Sequence, residues 1–218
     1  MRRLVLATGN PDKVREIEDV FRPLDLPVVA VTRLVRDWSV AETAGSLAGN
    51  ALLKARAARV ATGEPAIADD TGLFVDGLES APGVRSSRYA GPDATYADNV
   101  RALLDALRDV PEADRSASFR TLVALVRADG EERVFEGELR GRILAAPRGD
   151  GGFGYDPVFF VPEEGKALAE LSLARKNAIS HRAWAFRAAA AFLAARPEWL
   201  ADAAAVGDLV PPPVDSRD

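Results

Sequence analysis

The opening stretch, up to about residue 31, constrains the fold more than any other part of the chain. Leu4-Val5-Leu6-Ala7 is a short apolar run that reads as a buried strand. It stops at Thr8-Gly9-Asn10, and Pro11 then fits the first turn of a helix, where its missing N–H costs nothing. Val14, Ile17, Val20 and Phe21 recur at helical spacing, with Lys13, Arg15, Glu16 and Glu18 between them. Pro23 ends that helix, and Val28 to Val31 reads as a second strand. Strand, glycine turn, helix and strand in that order predict an α/β unit.

Further along, a helix is predicted from Leu47 to Val60, closed by Thr62-Gly63. Ala66-Ile67-Ala68 reads as a short strand that opens into a polar turn, Asp69-Asp70-Thr71-Gly72, before Leu73 to Val75 continue extended. Leu78 to Pro92, rich in Gly, Pro and Ser, reads as a long surface loop, and Tyr96 to Leu107 as another helix. Phe119 to Arg127, a hairpin at Asp129-Gly130, and strands at Arg133–Glu138 and Gly141–Ala145 suggest a β-rich insertion between α/β halves. A glycine-dense loop from Pro147 to Asp156 leads into a strand, Val158 to Val161, and one helix is predicted from about Arg175 to Ala195. Residues 1–196 are expected to form a single unit, with 197–218, which includes Pro211 to Pro213, as a partly disordered tail.

Composition narrows the chemistry. A net charge of −5 argues against a basic nucleic-acid footprint, so a polyanionic substrate would need a local cationic pocket or a metal. The absence of cysteine excludes disulfides, thiolate metal sites and a thiol nucleophile. One histidine, His181, cannot build a multi-histidine zinc site. No run is apolar enough for a signal-peptide core or a membrane span, which predicts a cytoplasmic protein with no membrane partner.

Three constellations could carry chemistry. Thr8-Gly9-Asn10, with Lys13 in the first turn of the helix, can offer backbone N–H groups, a helix N-terminus and an ammonium to an anion. The same residues also describe an ordinary capped turn. Asp69 and Asp70 at a strand end repel one another unless solvated or bound to a cation, and strand alternation sends them to opposite faces. One can then face a cleft while the other does structural work, and Glu42 lies in a loop that could approach the same cleft. Carboxylates with open water positions suit Mg²⁺, and a solvated acidic turn is the alternative. Gly151-Gly152-Phe153-Gly154-Tyr155-Asp156 offers close backbone approach and a stacking face, followed by Ser180-His181-Arg182 on the last helix. A satisfied structural histidine and a solvated arginine are the alternatives there.

Taken in order, Leu6-Ala7-Thr8-Gly9-Asn10-Pro11-Asp12-Lys13, Asn50-Ala51-Leu52-Leu53-Lys54-Ala55, Ala66 to Leu73, Ala81 to Val84, Gly151 to Pro157 and Lys176 to Arg182 resemble the inosine triphosphate pyrophosphatase family, the XTP/dITP diphosphatases. The resemblance runs from about Leu4 to Leu193. It implies an elongated two-lobed α/β fold, a central mixed β-sheet flanked by helices, and a substrate cleft between the lobes. It also implies a homodimer and Mg²⁺-dependent hydrolysis of non-canonical purine nucleoside triphosphates (ITP, dITP, XTP) to the monophosphate and pyrophosphate.

Carried over by position, Thr8, Gly9, Asn10, Pro11, Asp12 and Lys13 hold the phosphates. Asp70 is the catalytic acid-base residue and a metal ligand, Glu42 is a second metal ligand, and Thr71 and Lys54 contact substrate. Phe153, Gly154, Tyr155, Asp156, Lys176, His181 and Arg182 surround the base and sugar. Arg182 or a protonated His181 would donate to the 6-oxygen of hypoxanthine. Either would be left facing a donor in adenine, a mismatch of roughly 1–3 kcal/mol. The family often has Glu before the Asn-Ala pair, where this chain has Gly49. Pyrophosphatases of other modified nucleotides and a non-catalytic nucleotide sensor are the competing readings.

Overall fold

The computed structural model describes residues 3–24 and 26–200. Its elements are β1 (Leu4–Leu6), α1 (Pro11–Phe21), β2 (Val28–Ala30), α2 (Leu47–Thr62), β3 (Ala66–Val75), β4 (Pro82–Gly83) and α3 (Tyr96–Ala106). After these come β5 (Ser116–Val126), β6 (Glu132–Ile143), β7 (Phe159–Val161), β8 (Lys166–Ala167), α4 (Leu173–Ile179) and α5 (His181–Ala195). One mixed sheet runs in the order β2-β1-β3-β5-β6-β7-β8, with β4 also paired to β3. The β1–β2 and β1–β3 pairs are parallel, and the remaining pairs are antiparallel. The α/β class and the central mixed sheet flanked by helices match the sequence expectation.

Local signals placed the first helices well. Asn10 caps α1 by accepting from the N–H groups of Asp12 and Lys13, and Pro11 takes the first helical position. Gly63, at φ 72°, closes α2 in the left-handed conformation that glycine adopts without strain.

Four expectations give way to non-local pairing or to a cap. The supposed turn at Asp69 to Gly72 lies inside one ten-residue strand, because β5 pairs with β3 from Ala66 to Val75 without a break. The β-rich segment is the middle of the sheet rather than an insertion. Its second strand, β6, runs unbroken through Gly137 and Gly141. Those glycines admit neighbours: a Cβ on Gly137 would collide with the His181 carbonyl oxygen and lie 2.8 Å from Ala185 N, and one on Gly141 would strike the Phe160 carbonyl. The last helix is two helices, because Ser180 takes an extended ψ of 148° and its hydroxyl caps α5 by accepting from Ala183 N. The loop from Leu78 to Pro92 is not all at the surface, since Pro82, Gly83 and Ser86 are buried. The chain past residue 196 begins packed: Pro197–Leu200 form a 3-10 turn with Trp199 buried against Phe192. The remainder of the expected tail lies outside the described residues.

The core divides along the long strands. Ile67 of β3 and Leu125 of β5 pack with β1, α1 and α5, while Ala66 and Ala68 face Ala51, Ala55 and Ala58 of α2. Farther along the same strands, Leu73, Val75 and Phe119 pack with α3, β6 and β7. Between these clusters β3 carries Asp69, Asp70 and Thr71. On that edge β1 pairs only as far as Ile67 and β4 begins at Leu73, so the backbone between has no strand partner there among the described residues. A cleft opens at this gap.

Candidate active site

The cleft has a volume of about 400 Å³ and is lined by Thr8, Gly9, Asn10 and Lys13. Glu42, Lys54, Asp70 and Thr71 line it too, as do Phe153, Gly154, Tyr155, Asp156 and Arg182. Pro11, Asp12, Lys176 and His181 do not line it. Pro11 is exposed at the helix start and Asp12 pairs with Arg15 at 2.6 Å on the outside of α1. The phosphate turn exposes fewer N–H groups than expected. Asp12 and Lys13 donate to Asn10 Oδ1, and Asn10 N donates to Thr8 Oγ1, which leaves Gly9 N without a partner among the described residues. Asn10 Nδ2 reaches across the cleft mouth to the Tyr96 hydroxyl at 3.0 Å.

Strand alternation separates the two aspartates as expected. Asp69 turns away from the cleft, with a side chain that is 0% exposed, and its Oδ2 accepts from Lys13 at 2.9 Å, Arg182 Nε at 3.3 Å and the Thr71 hydroxyl at 3.2 Å. Burial alone would raise its pKa, but Lys13, Arg182 and Lys54 outweigh burial and hold it far below the usual carboxylate range. Asp70 faces the cleft and α2. Asn50 Nδ2 donates to its Oδ2 at 3.1 Å, and Lys54 Nζ to its Oδ1 at 3.1 Å. Burial pushes the Asp70 pKa up; Lys54 opposes this and Glu42 adds to it.

Lys54 joins the acids. The same Nζ donates to Glu42 Oε1 at 2.7 Å, and the surrounding Asp70, Asp69 and Glu42 keep it charged against the penalty of burial. Gly49 has a steric role here. A Cβ at 49 would come within 2.6 Å of Ala44 Cβ, and Ala44 N donates to Asn50 Oδ1 at 3.0 Å. The bare backbone at 49 thus lets the loop that carries Glu42 fold onto the start of α2. The oxygen-only donor set of Glu42 and Asp70 fits a hard divalent ion that takes its other ligands from water and phosphate. No cluster of three or more His, Asp or Glu suited to an ion occurs among the described residues, so this protein would supply two carboxylates at most.

Arg182 Nη1 donates to Glu16 at 2.6 Å and its guanidinium lies 5.2 Å over the Phe153 ring. Lys176 sits between Glu16 (2.8 Å) and Asp156 (2.5 Å) and is 4.7 Å from the same ring. Asp156 in turn accepts from Phe153 N at 2.8 Å, which ties the glycine loop to α4. Lys13, Asp69, Arg182, Glu16, Lys176 and Asp156 therefore form one buried chain of alternating charges.

His181 is a correction. It is buried, its ring stacks on Phe119 with centroids 4.7 Å apart, and Nδ1 shares a hydrogen bond of 2.6 Å with Thr121 Oγ1. Burial, then Arg182 and Lys176, push its pKa well below the ordinary histidine value, so the imidazole is neutral at pH 7 and cannot act as a protonated donor.

Sequence reasoning missed Glu16, Asn50 and Thr121. Glu16 and Asn50 had a readable signal. Glu16 stands three residues after Lys13, and Asn50 four before Lys54, so each shares a helix face with a residue already singled out. Thr121 had none, since only its pairing opposite Thr71 brings it to the site.

A model of the Ham1 family matches residues 4–192. The chain is 50% identical over 184 residues to a dITP/XTP pyrophosphatase of Erwinia tasmaniensis, spanning 84% of this chain and 89% of that protein. It is 48% identical over 189 residues to a dITP/XTP pyrophosphatase of Escherichia coli strain K12, spanning 86% and 95% respectively. Among solved structures, a HAM1 protein from Coxiella burnetii superposes with a TM-score of 0.81 at 42% identity, covering 88% of this chain and 98% of that one. The Staphylococcus aureus Ham1 protein gives 0.78 at 38% identity, covering 88% and 97%.

Proposed function

This chain belongs to the Ham1 family, and from that premise we propose that it hydrolyses non-canonical purine nucleoside triphosphates such as dITP, ITP and XTP to the monophosphate and pyrophosphate. The observation that carries the reading is a single cleft lined by the Thr8-Gly9-Asn10 helix start, by Lys13 and Lys54, by the carboxylates Glu42 and Asp70, and by Phe153 with Arg182. Cations and backbone donors suit a triphosphate, carboxylates suit its scissile bond, and a ring with a guanidinium suits a base.

Lys13 and Lys54 supply positive charge to the phosphates, and Gly9 N adds a backbone donor. Asp70 orients the attacking water at the α-phosphorus and takes its proton. The raised pKa suits this role, since a carboxylate with an ordinary pKa is a weak base at neutral pH. Glu42 and Asp70 would hold Mg²⁺, which would neutralise charge on the leaving pyrophosphate. Asp69 takes no proton; it holds Lys13 and Arg182 in place. Arg182 reads the 6-oxygen of the base, with Glu16 and Asp69 fixing its guanidinium and Phe153 covering its face. Lys176, His181 and Thr121 back Arg182 and Phe153 from inside the protein. Residues 1–196 act as one two-lobed unit. The protein works as a cytoplasmic homodimer with no nucleic-acid or membrane partner; its net charge of −5 is not that of a basic nucleic-acid footprint.

The test is pyrophosphate release from ITP, dITP, XTP, ATP and GTP, with Mg²⁺ and with chelator. The expected result is Mg²⁺-dependent release from the first three, far exceeding that from ATP, and its collapse in Asp70→Asn. Folded protein that leaves all three deaminated purines intact with any divalent metal would refute the reading.

A further inference from the structure

The acid pair that the proposed reaction needs for its divalent ion is already neutralised by the protein. Every one of its four carboxylate oxygens accepts a protein donor. Glu42 Oε1 takes Lys54 Nζ at 2.7 Å, and Glu42 Oε2 takes Arg88 Nη1 at 3.3 Å. Asp70 Oδ1 takes the same Lys54 Nζ at 3.1 Å, and Asp70 Oδ2 takes Asn50 Nδ2 at 3.1 Å. Two anionic side chains thus face two cationic ones, and a bare cation meets no net attraction at this range.

Of the three donors, Lys54 is the one placed to leave. Asn50 is anchored at its other end by Ala44 N, and Arg88 touches only Glu42 from outside the cleft lining. Lys54 bridges both acids and lies on the cleft wall, as Lys13 does. Its ammonium is a compact charge on a four-carbon stem that can swing between acceptors. A polyanion entering the cleft competes for it directly.

We propose that Lys54 is a resident counter-ion that keeps divalent metal out of the empty cleft and releases Glu42 and Asp70 only when a triphosphate draws its ammonium away. Metal and nucleotide then bind as a linked pair, each raising the other's affinity by the same factor. This inference rests on the proposed function.

Mn²⁺ serves as the probe, titrated into nucleotide-free protein and followed by the EPR signal of the free ion. Lys54→Met should bind Mn²⁺ roughly tenfold more tightly than wild type or better, within the usual range of such couplings. A non-hydrolysable α,β-methylene analogue of ITP should raise the wild-type affinity by a similar factor, after correction for Mn²⁺ bound by the analogue alone. Equal Mn²⁺ affinity in wild type and Lys54→Met, with no nucleotide, overturns the proposal. Should Lys54→Met fail to fold, wild type decides: bare Mn²⁺ bound as tightly without the analogue as with it overturns the proposal. Analogue binding is followed separately by tryptophan fluorescence, since Trp38 lines the cleft. A protein that ignores the analogue sinks the proposed function, while the bare Mn²⁺ comparison still judges Lys54.

Discussion

Replacing Asp69 with asparagine probes the buried charge chain with almost no change of shape. The side chain is 0% exposed, and one oxygen collects Lys13, Arg182 and Thr71. Asparagine can still accept there, but it removes the charge. Breaking a buried pair by deleting one partner costs about 3–5 kcal/mol, because the remaining charge is left desolvated. Here the lower end applies: Arg182 keeps Glu16 at 2.6 Å, and Lys13, 16% exposed, can turn toward the cleft. For a chain of this size each kcal/mol moves the melting midpoint by about 2–4 °C, so Asp69→Asn should melt roughly 6–12 °C below wild type at pH 7.

The pH dependence has a definite sign. The folded pKa of Asp69 is depressed, so its contribution is fully present above the ordinary aspartate pKa and fades as pH falls below it toward the folded value. The gap between wild type and variant should therefore be constant near neutrality and shrink by ~1.4 kcal/mol per pH unit below about pH 4. Thermal or urea unfolding at pH 7 and pH 3 measures both, with Asp12→Asn as control, since Asp12 only pairs with Arg15 on the exposed side of α1. The control should shift by no more than ~2 °C. A shift for Asp69→Asn no larger than the control's, or a gap unchanged between the two pH values, would refute the reasoning.

Arg182→Ala should lower kcat/KM for ITP far more than for any residual ATP hydrolysis; equal losses would remove it from base readout. Glu16→Gln, which keeps an acceptor for Arg182 and Lys176 but not the charge, should narrow the ITP-to-ATP ratio of kcat/KM while leaving inhibition by pyrophosphate nearly unchanged. Gly137→Ala should destabilise the fold by about 1–3 kcal/mol, the usual range for overpacking, because its Cβ meets the first turn of α5 rather than a movable side chain; denaturant unfolding reads it. The acid limb of the pH–kcat/KM profile, which reports the free enzyme, should lie above the ordinary aspartate range, as the raised Asp70 pKa implies, and Lys54→Met should move it further up by removing the cation that stabilises the ionised form in the empty cleft.

What the sequence disclosed follows from how local each signal is. The spacing of Val14, Ile17 and Phe21, the Asn10 cap and the Gly63 stop are decided within a few residues, and α1 and α2 stand close to where they are predicted. The division of Asp69 and Asp70 between two faces was legible for the same reason, since a period of two belongs to any strand. Their being in mid-strand was not, because what holds them extended is β5, some fifty residues away. The gap expected between Glu138 and Gly141 is not there, because what keeps β6 extended through it is pairing with β5, which has no local sign. Ser180 carried a local sign, its preference for N-caps, but the helical pattern on both sides concealed it.

Two adjacent carboxylates inside a sheet violate the local preferences of a strand, and such conflicts persist only where the surroundings compensate them. Lys13 and Arg182 on one face and Lys54 with Asn50 on the other do so, each from a helix distant in sequence. That compensation is lopsided. Lys13, Arg182 and Lys54 keep Asp69 ionised although its Oδ1 has no hydrogen-bond partner among the described residues, whereas burial leaves Asp70 nearer to protonation although a cation touches it. Neighbouring identical residues are thereby assigned different work by what the rest of the fold brings to each face: one fixes cations, and the other, opening on the cleft, keeps a proton affinity that chemistry can use.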